Sequence, residues 1–591
     1  MEISAPEDAK SHLAGLLSAA LSAVAPDSAA TGIVLERPKQ LQHGDYACNI
    51  ALQLAKILRA KPRDIAQKLV AALPASPMLE KAEIAGAGFI NLFLKRAYKQ
   101  RIVNRVLAAG TDFGKSTLGN KKKVLVEFVS ANPTGPLHVG HGRHAAYGAS
   151  LANVLTAADF DVSREYYVND AGRQMDILAL STWLRYLEAH GVHVPFPPNA
   201  YQGGYVRDMA QRVRELHGVK FVHGASEILS GVPPLPAAER EDAKAKAERE
   251  THLDALIAKA KNLLGADYAT VHQHALNEQL EDGRDDLTEF GVVFDRWFSE
   301  RSLFDTGMVE RAVAALEQHG HIYVQDGAKW FRSSSFGDEK DRVVQRENGV
   351  CTYFASDIAY HLNKFERGFA QIIDVWGADH HGYIPRVTGA LKALDKNAET
   401  MTVALVQFAV LYRNGEKVSM STRAGEFVTL RELRGEVGND AARFFYVLRK
   451  SDQHLDFDLD LAKSRTNENP VYYIQYAHAR VCSVHEQWGG TRAELLESDP
   501  ALLDSEHELA LLQKLDEYPE TIETAARELA PHLIAFYLKD LAAAFHSYYN
   551  ATRFLVDNAP LKLARLALAT AVQQVLQNAL ALLGVSAPEK M

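Results

Sequence analysis

The segment Val124–Leu155 constrains the fold of this chain more than any other part of the sequence. It opens with a nearly continuous apolar run, VLVEFV, which is typical of a buried parallel strand. The turn formers NPTGP come next, and a helical pattern follows them. Similar strand signals recur at Val350–Phe354, Ile372–Trp376 and Val403–Tyr412, each before a loop or a helix. This alternation predicts a doubly wound, Rossmann-type parallel α/β sheet.

The α/β pattern occupies only the middle of the chain. The 591 residues are too many for one hydrophobic core, so several domains are expected. Residues 1–105 mix helix and short strand signals, which indicates a small α+β domain. The α/β domain is expected over 106–460, with an insertion at about 192–264 that contains prolines and a charged helix. Strand signals disappear afterwards, which predicts an all-α bundle over 461–591.

The composition is that of an ordinary globular protein, with 47% hydrophobic and 24% charged residues. A net charge of −9 argues against binding nucleic acid by charge alone, so any such contact must be local. Cys48, Cys351 and Cys482 are too far apart for a metal knuckle, and an odd number favours a reducing compartment. Polar residues interrupt the apolar run Leu566–Leu583, so no membrane span is expected. A soluble, cytoplasmic protein is expected.

His138, Gly140 and His141 lie in the first strand-to-helix loop of the predicted sheet. Backbone N–H groups and the helix dipole favour an anion there, and the two imidazoles can donate to phosphate oxygens. Polar residues near a helix start are the plainer interpretation. A zinc site with His144 is less favoured, because no carboxylate or fourth ligand has a suitable spacing. The loop therefore predicts a phosphate site, and no metal ligands are predicted.

Two carboxylates need an explanation. Glu127 interrupts the apolar strand, and a buried carboxylate must be protonated, paired internally with Arg143 or Lys123, or reserved for a cationic ligand. Asp357 follows Tyr353 in VCTYFASD, where it could cap a helix or enter the same pocket. The residue pattern leaves these alternatives open.

A cationic loop follows the Asn414-Gly415 turn. In EKVSMSTRAGEF, Lys417 and Arg423 flank several hydroxyl residues. Cations on a mobile loop can close on the charge that develops at a transferring phosphoryl group. Serine, threonine and glycine are also ordinary loop residues, so this segment is informative mainly because it follows the HVGH loop.

Taken in order, the motifs resemble those of the arginyl-tRNA synthetase family. HVGH and SMSTR resemble the HIGH and KMSKS signatures of class I aminoacyl-tRNA synthetases, and Asp440–Arg443 resembles the DALR signature. The resemblance to bacterial members continues through GDYACNIALQLAK, VEFVSANPTGPLHVGHGR, YYVNDAGRQ, TYFASD, GADHHGY, NDAARFFYVLR, ENPVYYIQYAHAR and LGVSAPEKM. It covers nearly the whole chain.

The resemblance implies a tRNA-elbow module over 1–105, a class I catalytic domain over 106–460 with a KMSKS-like loop at 417–425, and a DALR-type anticodon-binding domain over 461–591. The implied reaction activates L-arginine with ATP and Mg²⁺ to arginyl-AMP, and then transfers arginine to the 3′-terminal adenosine of tRNA(Arg). Activation is expected to need bound tRNA. A monomer without a tightly bound cofactor is also expected.

Roles for individual residues follow from the same resemblance. The expected catalytic residues are His138, His141, Lys417 and Arg423; the expected ATP-binding residues are His138, Gly140, His141, Gly377, Asp379, His380, Met420 and Ser421. The expected arginine-binding residues are Glu127, Ser130, Asn132, Tyr353 and Asp357, because one guanidinium can satisfy two carboxylates and a hydroxyl. The expected tRNA contacts are Asn49, Tyr473, Tyr476, Tyr548, Tyr549 and Met591, although tyrosines on amphipathic helices are more often core residues.

One departure from the family pattern concerns the catalytic cation. The KMSKS positions fall on Ser419–Arg423, so both family lysines are absent, and Gly135 stands where some members carry a compensating lysine. We hypothesise that Lys417 or Arg423 takes over. Two rival functions remain from the sequence: a small nucleotidylyltransferase, which would be a much shorter chain, and a tRNA-binding paralogue that has lost activation.

Overall fold

The computed structural model describes residues 9–38, 40–237, 242–418 and 428–591. The strands are β1 Leu35–Glu36, β2 Tyr46–Cys48, β3 Leu79–Ala85, β4 Phe89–Leu94, β5 Lys123–Glu127, β6 Asp161–Val168, β7 Arg296–Ser299, β8 Ile322–Gln325, β9 Ala328–Phe331, β10 Arg342–Gln345, β11 Gln371–Gly377, β12 Met401–Val406, β13 Ala409–Arg413, β14 Glu416–Lys417 and β15 Leu455–Asp458. The helices are α1 Ala9–Val24, α2 Ile50–Leu58, α3 Pro62–Ala71, α4 Arg96–Gln100, α5 Ile102–Ala109, α6 Val139–Ala157, α7 Arg173–Ala189, α8 Gly204–His217, α9 Ala225–Leu229, α10 Ala243–Leu264, α11 Tyr268–Glu289, α12 Arg301–Asp305, α13 Met308–Gln318, α14 Tyr353–Glu366, α15 Ile384–Ala393, α16 Leu430–Val437, α17 Asn439–Val447, α18 Leu459–Lys463, α19 Pro470–Trp488, α20 Arg492–Leu496, α21 Glu506–Arg527, α22 His532–Ala551 and α23 Ala559–Leu583.

The chain divides into two compact units. The first comprises Met1–Phe113, Val481–Glu517 and Ala543–Val575, and the second comprises Gly114–Arg480, Tyr518–Ala542 and Leu576–Met591. The first unit contains an antiparallel sheet in the order β1-β2-β4-β3, against which α1, α2 and α3 bury their apolar faces. This arrangement confirms the α+β architecture expected for the N-terminal part.

The second unit is built on a five-stranded sheet in the order β12-β11-β5-β6-β7, in which every neighbouring pair is parallel. Read from β7, this is the 3-2-1-4-5 order of a doubly wound sheet, so the Rossmann-type prediction is confirmed. The strand order reverses between β5 and β11. Ligands of such sheets bind beyond the carboxyl ends of the strands at this switch point.

Some element predictions were wrong. The predicted strand Val350–Phe354 is not part of the sheet, because α14 begins at Tyr353 and its apolar residues follow helical spacing. The predicted strand Val403–Tyr412 is two strands, β12 and β13, which belong to different sheets. Strand β6 was missed because Glu165 lies within it, and this buried carboxylate is compensated by Arg367, 202 residues further along.

Helix α6 packs closely on β5. This contact depends on Gly148, in the middle of α6, where an ideal Cβ would lie only 2.2 Å from Cγ of the buried Phe128. A side chain at this position would force the helix away from the sheet. The glycine therefore keeps the N-terminus of α6 close to the carboxyl end of β5.

After β15, the described residues form only helices, as the all-α prediction requires. The predicted DALR-like segment lies at the start of α17 and contributes to this packing within the second unit. Arg443 is 1% exposed and donates to the main-chain oxygens of Leu583 and Phe290 at 2.7 and 3.0 Å. Asp440 accepts from the Ser586 amide at 3.0 Å. These residues thus fix the C-terminal end of α23.

Among the described helices, α23 is the one whose length and hydropathy would allow it to cross a membrane. In the structure, 72% of its apolar window is buried inside the protein. A helix that is apolar on most sides is also typical of the core of a large protein.

A buried lysine joins β5, β11 and α14 at the switch point. Lys364 is 0% exposed, and its Nζ lies 2.5 Å from Oε2 of Glu127 and 2.7 Å from Oδ1 of Asp374. The two carboxylates are direct neighbours in the register of β5 and β11. His361 contacts the second oxygen of Asp374 at 3.0 Å. Despite burial, the charges of Asp374 and Glu127 hold the pKa of Lys364 above its ordinary value. The charge of Lys364 likewise holds the pKa of Asp374 below its ordinary value.

We predict that Lys364→Met destabilises the second unit strongly, because two adjacent buried carboxylates then lose their counter-charge. The expected loss is about 3–5 kcal/mol. Lys450→Met is the matched control, since Lys450 pairs with Asp452 at the surface with its side chain 57% exposed, and such pairs contribute less than about 1 kcal/mol. Urea unfolding followed by circular dichroism measures both variants. Equal midpoints for the two variants would contradict the role of Lys364.

Candidate active site

A cavity of about 600 Å³ opens at the carboxyl ends of β5, β6 and β11. The predicted site residues that line it are Glu127, Ser130, Asn132, His138, Gly140, His141, Asp357, Gly377, Asp379 and His380. The sheet topology thus brings together side chains from four separate parts of the sequence. Lining residues that the sequence did not point to include Tyr167, Asn169, Tyr383, Gln407 and Phe408.

Other predicted residues lie elsewhere. Tyr353 does not line this cavity: it is 58% exposed, and its hydroxyl accepts from the Arg173 amide at 3.4 Å. Lys417 is exposed in β14, where it lies opposite Tyr412 of the neighbouring antiparallel strand β13. Met420, Ser421 and Arg423 lie outside the described residues.

The loop between β5 and α6 has an unusual backbone. Val129 and Ser130 adopt φ angles of 68° and 43°, in the left-handed region that a β-branched residue rarely enters. In this conformation the Ser130 hydroxyl donates to Oε1 of Glu127 at 2.8 Å and accepts from the Tyr167 amide at 3.1 Å. Backbone strain of this kind concentrates at functional sites.

The two histidines of HVGH cap helix α6. Nδ1 of His138 accepts from the Gly140 amide at 3.1 Å, and Nδ1 of His141 accepts from the His138 amide at 3.3 Å. Their rings stack with centroids 3.6 Å apart. Because each Nδ1 accepts, the proton of each neutral ring resides on Nε2, which leaves an N–H donor on that side.

Burial keeps these imidazoles neutral. It lowers the pKa of His138, lowers that of His141 further, and lowers that of His144 to about 4. The pKa values of His141 and His144 also fall because neighbouring histidines would repel a second positive charge. Gly140 is required for the arrangement, because an ideal Cβ there would lie 2.9 Å from Cε1 of His138.

Glu127 has an internal partner that the sequence did not reveal. It pairs with Lys364 and accepts from Ser130, so neither Arg143 nor Lys123 compensates it. Arg143 instead donates to main-chain oxygens of two neighbouring loops at 2.7 and 2.8 Å. Lys123 lies at the opposite end of β5, where its side chain is exposed. Glu127 is therefore not an uncompensated charge.

Asp357 is not a helix cap, because α14 begins four residues before it. Its carboxylate accepts a short hydrogen bond from the Tyr383 hydroxyl. Burial raises the pKa of Asp357 despite this bond. The carboxylate lines the cavity, and no cation of the described residues forms an ion pair with it.

Glu300 is a second buried carboxylate, which the sequence analysis missed; it follows β7 and is not among the residues that line the cavity. It is 3% exposed, and Oε1 accepts from the Ser356 hydroxyl at 3.0 Å. Oε2 is buried and has no hydrogen-bond partner among the described atoms. Burial raises the pKa of Glu300, and the charge of Asp357 adds to this rise. The charge of Asp357 thus opposes ionisation of Glu300, which favours a cation beside them.

The predicted tRNA contacts differ in exposure. Met591 is 52% exposed, and Tyr473 and Tyr476 are half-buried on α19. The guanidinium of Arg480 lies 4.4 Å above the ring of Tyr476. Tyr548 is 0% exposed and donates to Glu508 at 3.2 Å, so the prediction that it contacts RNA is wrong: the ring has no free surface.

The remaining two candidates lie in the first unit. Asn49 precedes α2 and its side-chain oxygen accepts from Gln53 at 2.8 Å. Tyr549 is half-buried and packs against Phe545 and Phe554. Both keep part of their side chain at the surface. Within the described ranges, no group of three or more His, Cys, Asp and Glu side chains has a geometry suited to a metal ion.

Comparison with protein families matches three models along the chain. The arginyl tRNA synthetase N terminal domain matches residues 11–94, and the catalytic domain of class I tRNA synthetases (R) matches 102–194 and 274–456. The DALR anticodon binding domain matches 474–591. The matches follow the order that the motifs predict.

Relatives cover the whole length. An arginine–tRNA ligase of Dechloromonas aromatica is 67% identical over 99% of this chain and 100% of its own. One from Azoarcus sp. is 68% identical with the same coverage. The arginyl-tRNA synthetase structure from Thermus thermophilus shares the fold with a TM-score of 0.74, at 23% identity over 99% of this chain and 100% of its own. The chain therefore belongs to the class I arginyl-tRNA synthetase family.

Proposed function

We propose that this protein is an arginine–tRNA ligase whose reaction takes place in the cavity at the carboxyl ends of β5, β6 and β11. One observation carries the assignment of the site. A loop suited to phosphate and a pair of uncompensated carboxylates suited to a guanidinium line or adjoin the same cavity at the switch point of the sheet. ATP and arginine are the two small substrates that require these features together.

The histidine loop binds the phosphates. Neutral His138 and His141 carry their protons on Nε2 and donate to phosphate oxygens, while the N-terminus of α6 adds its dipole. Mg²⁺ would accompany ATP and share the negative charge of its phosphates. Phe408 lines the cavity with its side chain 55% exposed and offers a ring face to the adenine.

The arginine side chain occupies the acidic end. Its guanidinium binds between Asp357 and Glu300, whose unpaired Oε2 requires a donor. This assignment revises the predicted pair of Glu127 and Asp357, since Lys364 already compensates Glu127. Glu127, Ser130 and Asn132 then hold the backbone end of the amino acid. A planar fork of donors fits two carboxylates, which a lysine ammonium does not reproduce.

The reaction proceeds in two steps. The arginine carboxylate attacks the α-phosphorus of ATP, and the bond to the bridging oxygen breaks with loss of pyrophosphate. A ribose hydroxyl of the terminal adenosine of tRNA(Arg) then attacks the acyl carbon and releases AMP. The cavity positions the two substrates, which lowers the entropic part of the activation barrier. The charge that develops in the transition state is stabilised by His138, His141 and Lys417 or Arg423. Gly377, Asp379 and His380 complete the nucleotide side of the cavity, with Met420 and Ser421.

The N-terminal and C-terminal domains bind the tRNA. Residues 1–105 contact its elbow through Asn49, and 461–591 read the anticodon through Tyr473, Tyr476, Tyr549 and Met591. The half-exposed rings on α19 support this role, since splayed bases stack on aromatic side chains. We further infer a monomer in the cytoplasm. The nucleotidylyltransferase alternative is excluded by the family membership of the full chain.

Exchange of pyrophosphate into ATP tests the activity directly. We predict exchange that depends on L-arginine and on tRNA(Arg), and none with lysine or citrulline in place of arginine. Lysine lacks the fork of donors, and citrulline lacks the positive charge that both carboxylates require. Exchange that needs no arginine, or no exchange under any condition, would contradict the proposal and favour an inactive tRNA-binding paralogue.

Asp357→Asn is expected to raise the melting temperature while weakening arginine binding. The raised pKa means that the native state binds the proton more tightly than the unfolded state does, so ionisation destabilises the arginine-free fold above the folded pKa. The amide removes this penalty and also removes half of the guanidinium site. The KM for arginine should increase by about 100-fold or more, on the scale of a lost charged hydrogen bond.

Glu281→Gln on the exposed face of α11 is the control and should change neither property. In the unaltered protein, kcat/KM for arginine should fall on acidification at a pH above the ordinary carboxyl pKa, because Asp357 and Glu300 must both be ionised. Calorimetry and pyrophosphate exchange provide the measurements. A less stable Asp357→Asn variant would contradict the electrostatic account.

Alanine at Lys417 and at Arg423 tests which cation replaces the missing KMSKS lysines. If one of these cations contacts the leaving pyrophosphate, its substitution should lower kcat for exchange about 100-fold or more. Removal of a single hydrogen-bond donor to the transition state has an effect of this size. Lys392→Ala, at an exposed lysine of the same unit, is the control. Near-normal rates for both alanine variants would refute the hypothesis.

A further inference from the structure

The inserted segment binds Arg173, a residue next to the candidate active site. Residues 195–273 lie outside the stretches that match the class I catalytic model. From this insertion, Glu250 and Asp254 on α10 bind Arg173, the first residue of α7. Nε donates to Asp254 at 2.8 Å, and Nη2 donates to Glu250 at 2.7 Å. Asn199, also in the insertion, donates to the other oxygen of Glu250 at 2.9 Å.

Arg173 ends the loop that forms one wall of the cavity. This β6–α7 loop, residues 169–173, begins with Asn169, which lines the cavity. The loop is tightly folded, since an ideal Cβ on Gly172 would lie 2.7 Å from Oδ1 of Asn169. The amide of Arg173 donates to the Tyr353 hydroxyl. A shift of Arg173 would therefore be transmitted to the cavity wall.

The opposite end of the loop is tied to the acidic pocket. Asp170 is 7% exposed and accepts from the Ser299 hydroxyl at 2.5 Å and from the Arg301 amide at 2.9 Å. These two residues flank Glu300. The β6–α7 loop thus connects the insertion at one end with the backbone that positions a guanidinium-binding carboxylate at the other.

We propose that Arg173 is a positioning residue through which the insertion holds the arginine subsite in its binding geometry. Glu250 and Asp254 clamp the guanidinium, and the clamp fixes the β6–α7 loop against Glu300. The proposal rests on the proposed function, because arginine activation is its readout. It assigns to α10 a role beyond that of a solvated, charged surface.

The expected effect is selective for one substrate. Exposed ion pairs contribute little to overall stability, so removing the clamp should leave the fold intact. The loop would then be held through Asp170 and the Arg173 amide, without the side-chain clamp, and the guanidinium subsite would be less preorganised. The phosphates of ATP bind on the β5–α6 side of the cavity, which the β6–α7 loop does not support. The KM for arginine should therefore change while that for ATP does not.

The test uses the full-length protein with tRNA present and measures pyrophosphate exchange. Glu250→Gln and Asp254→Asn, singly and together, and Arg173→Gln are compared with Asp267→Asn. Asp267 forms an ion pair of similar length with Lys220 in the same insertion. Arg173→Lys is included because an ammonium cannot bind both carboxylates as a planar fork does.

We expect the double variant and Arg173→Gln to raise the KM for arginine about 3- to 30-fold, with the KM for ATP and the melting temperature unchanged. Arg173→Lys should be intermediate, and Asp267→Asn should match the unaltered protein. Unchanged arginine KM in the clamp variants would overturn the proposal, and so would equal changes for arginine and ATP. Failure of the unaltered protein to exchange would instead refute the proposed function.

Discussion

The buried ion pair of Lys364 with Glu127 and Asp374 is the interaction on which the arrangement of the site depends. It joins two strands from opposite halves of the sheet to α14 at the point where the strand order reverses. Because Lys364 bridges the two carboxylates, the carboxyl end of β5 is held in register with β11. The phosphate loop and the acidic pocket are attached to these two strands and to that helix.

The electrostatics of the cavity separate two kinds of carboxylate. Glu127 and Asp374 have their cation within the protein, whereas burial raises the pKa values of Asp357 and Glu300, which form no ion pair among the described residues. The first pair stabilises the fold, and the second pair is the one proposed to bind the guanidinium. The left-handed backbone at Val129 is a cost located at the same site. The acids bound by Lys364 are thus distinct from the pair proposed to bind the guanidinium.

Much of this organisation could be predicted from the sequence. The apolar strand VLVEFV, the HVGH loop after it and the helical C-terminal region predict the fold class and the proposed phosphate site, because their periodicity and turn residues are local properties. The partner of Glu127 could not be predicted, since Lys364 is 237 residues away and lies on a helix that the sequence suggested was partly a strand. Glu300 was missed for the same reason: it follows a short strand, β7, whose pattern is weak.

The sequence by itself determined the family, the alternation of strands and helices and the histidines proposed to bind phosphate. Only the tertiary structure decided which buried carboxylates have an internal cation, that Tyr548 is a core residue, and that the insertion contacts the β6–α7 loop. The physical reason is that local propensity and spacing depend on neighbours along the chain. Burial, charge compensation and pKa depend on residues that the fold brings together from hundreds of positions apart.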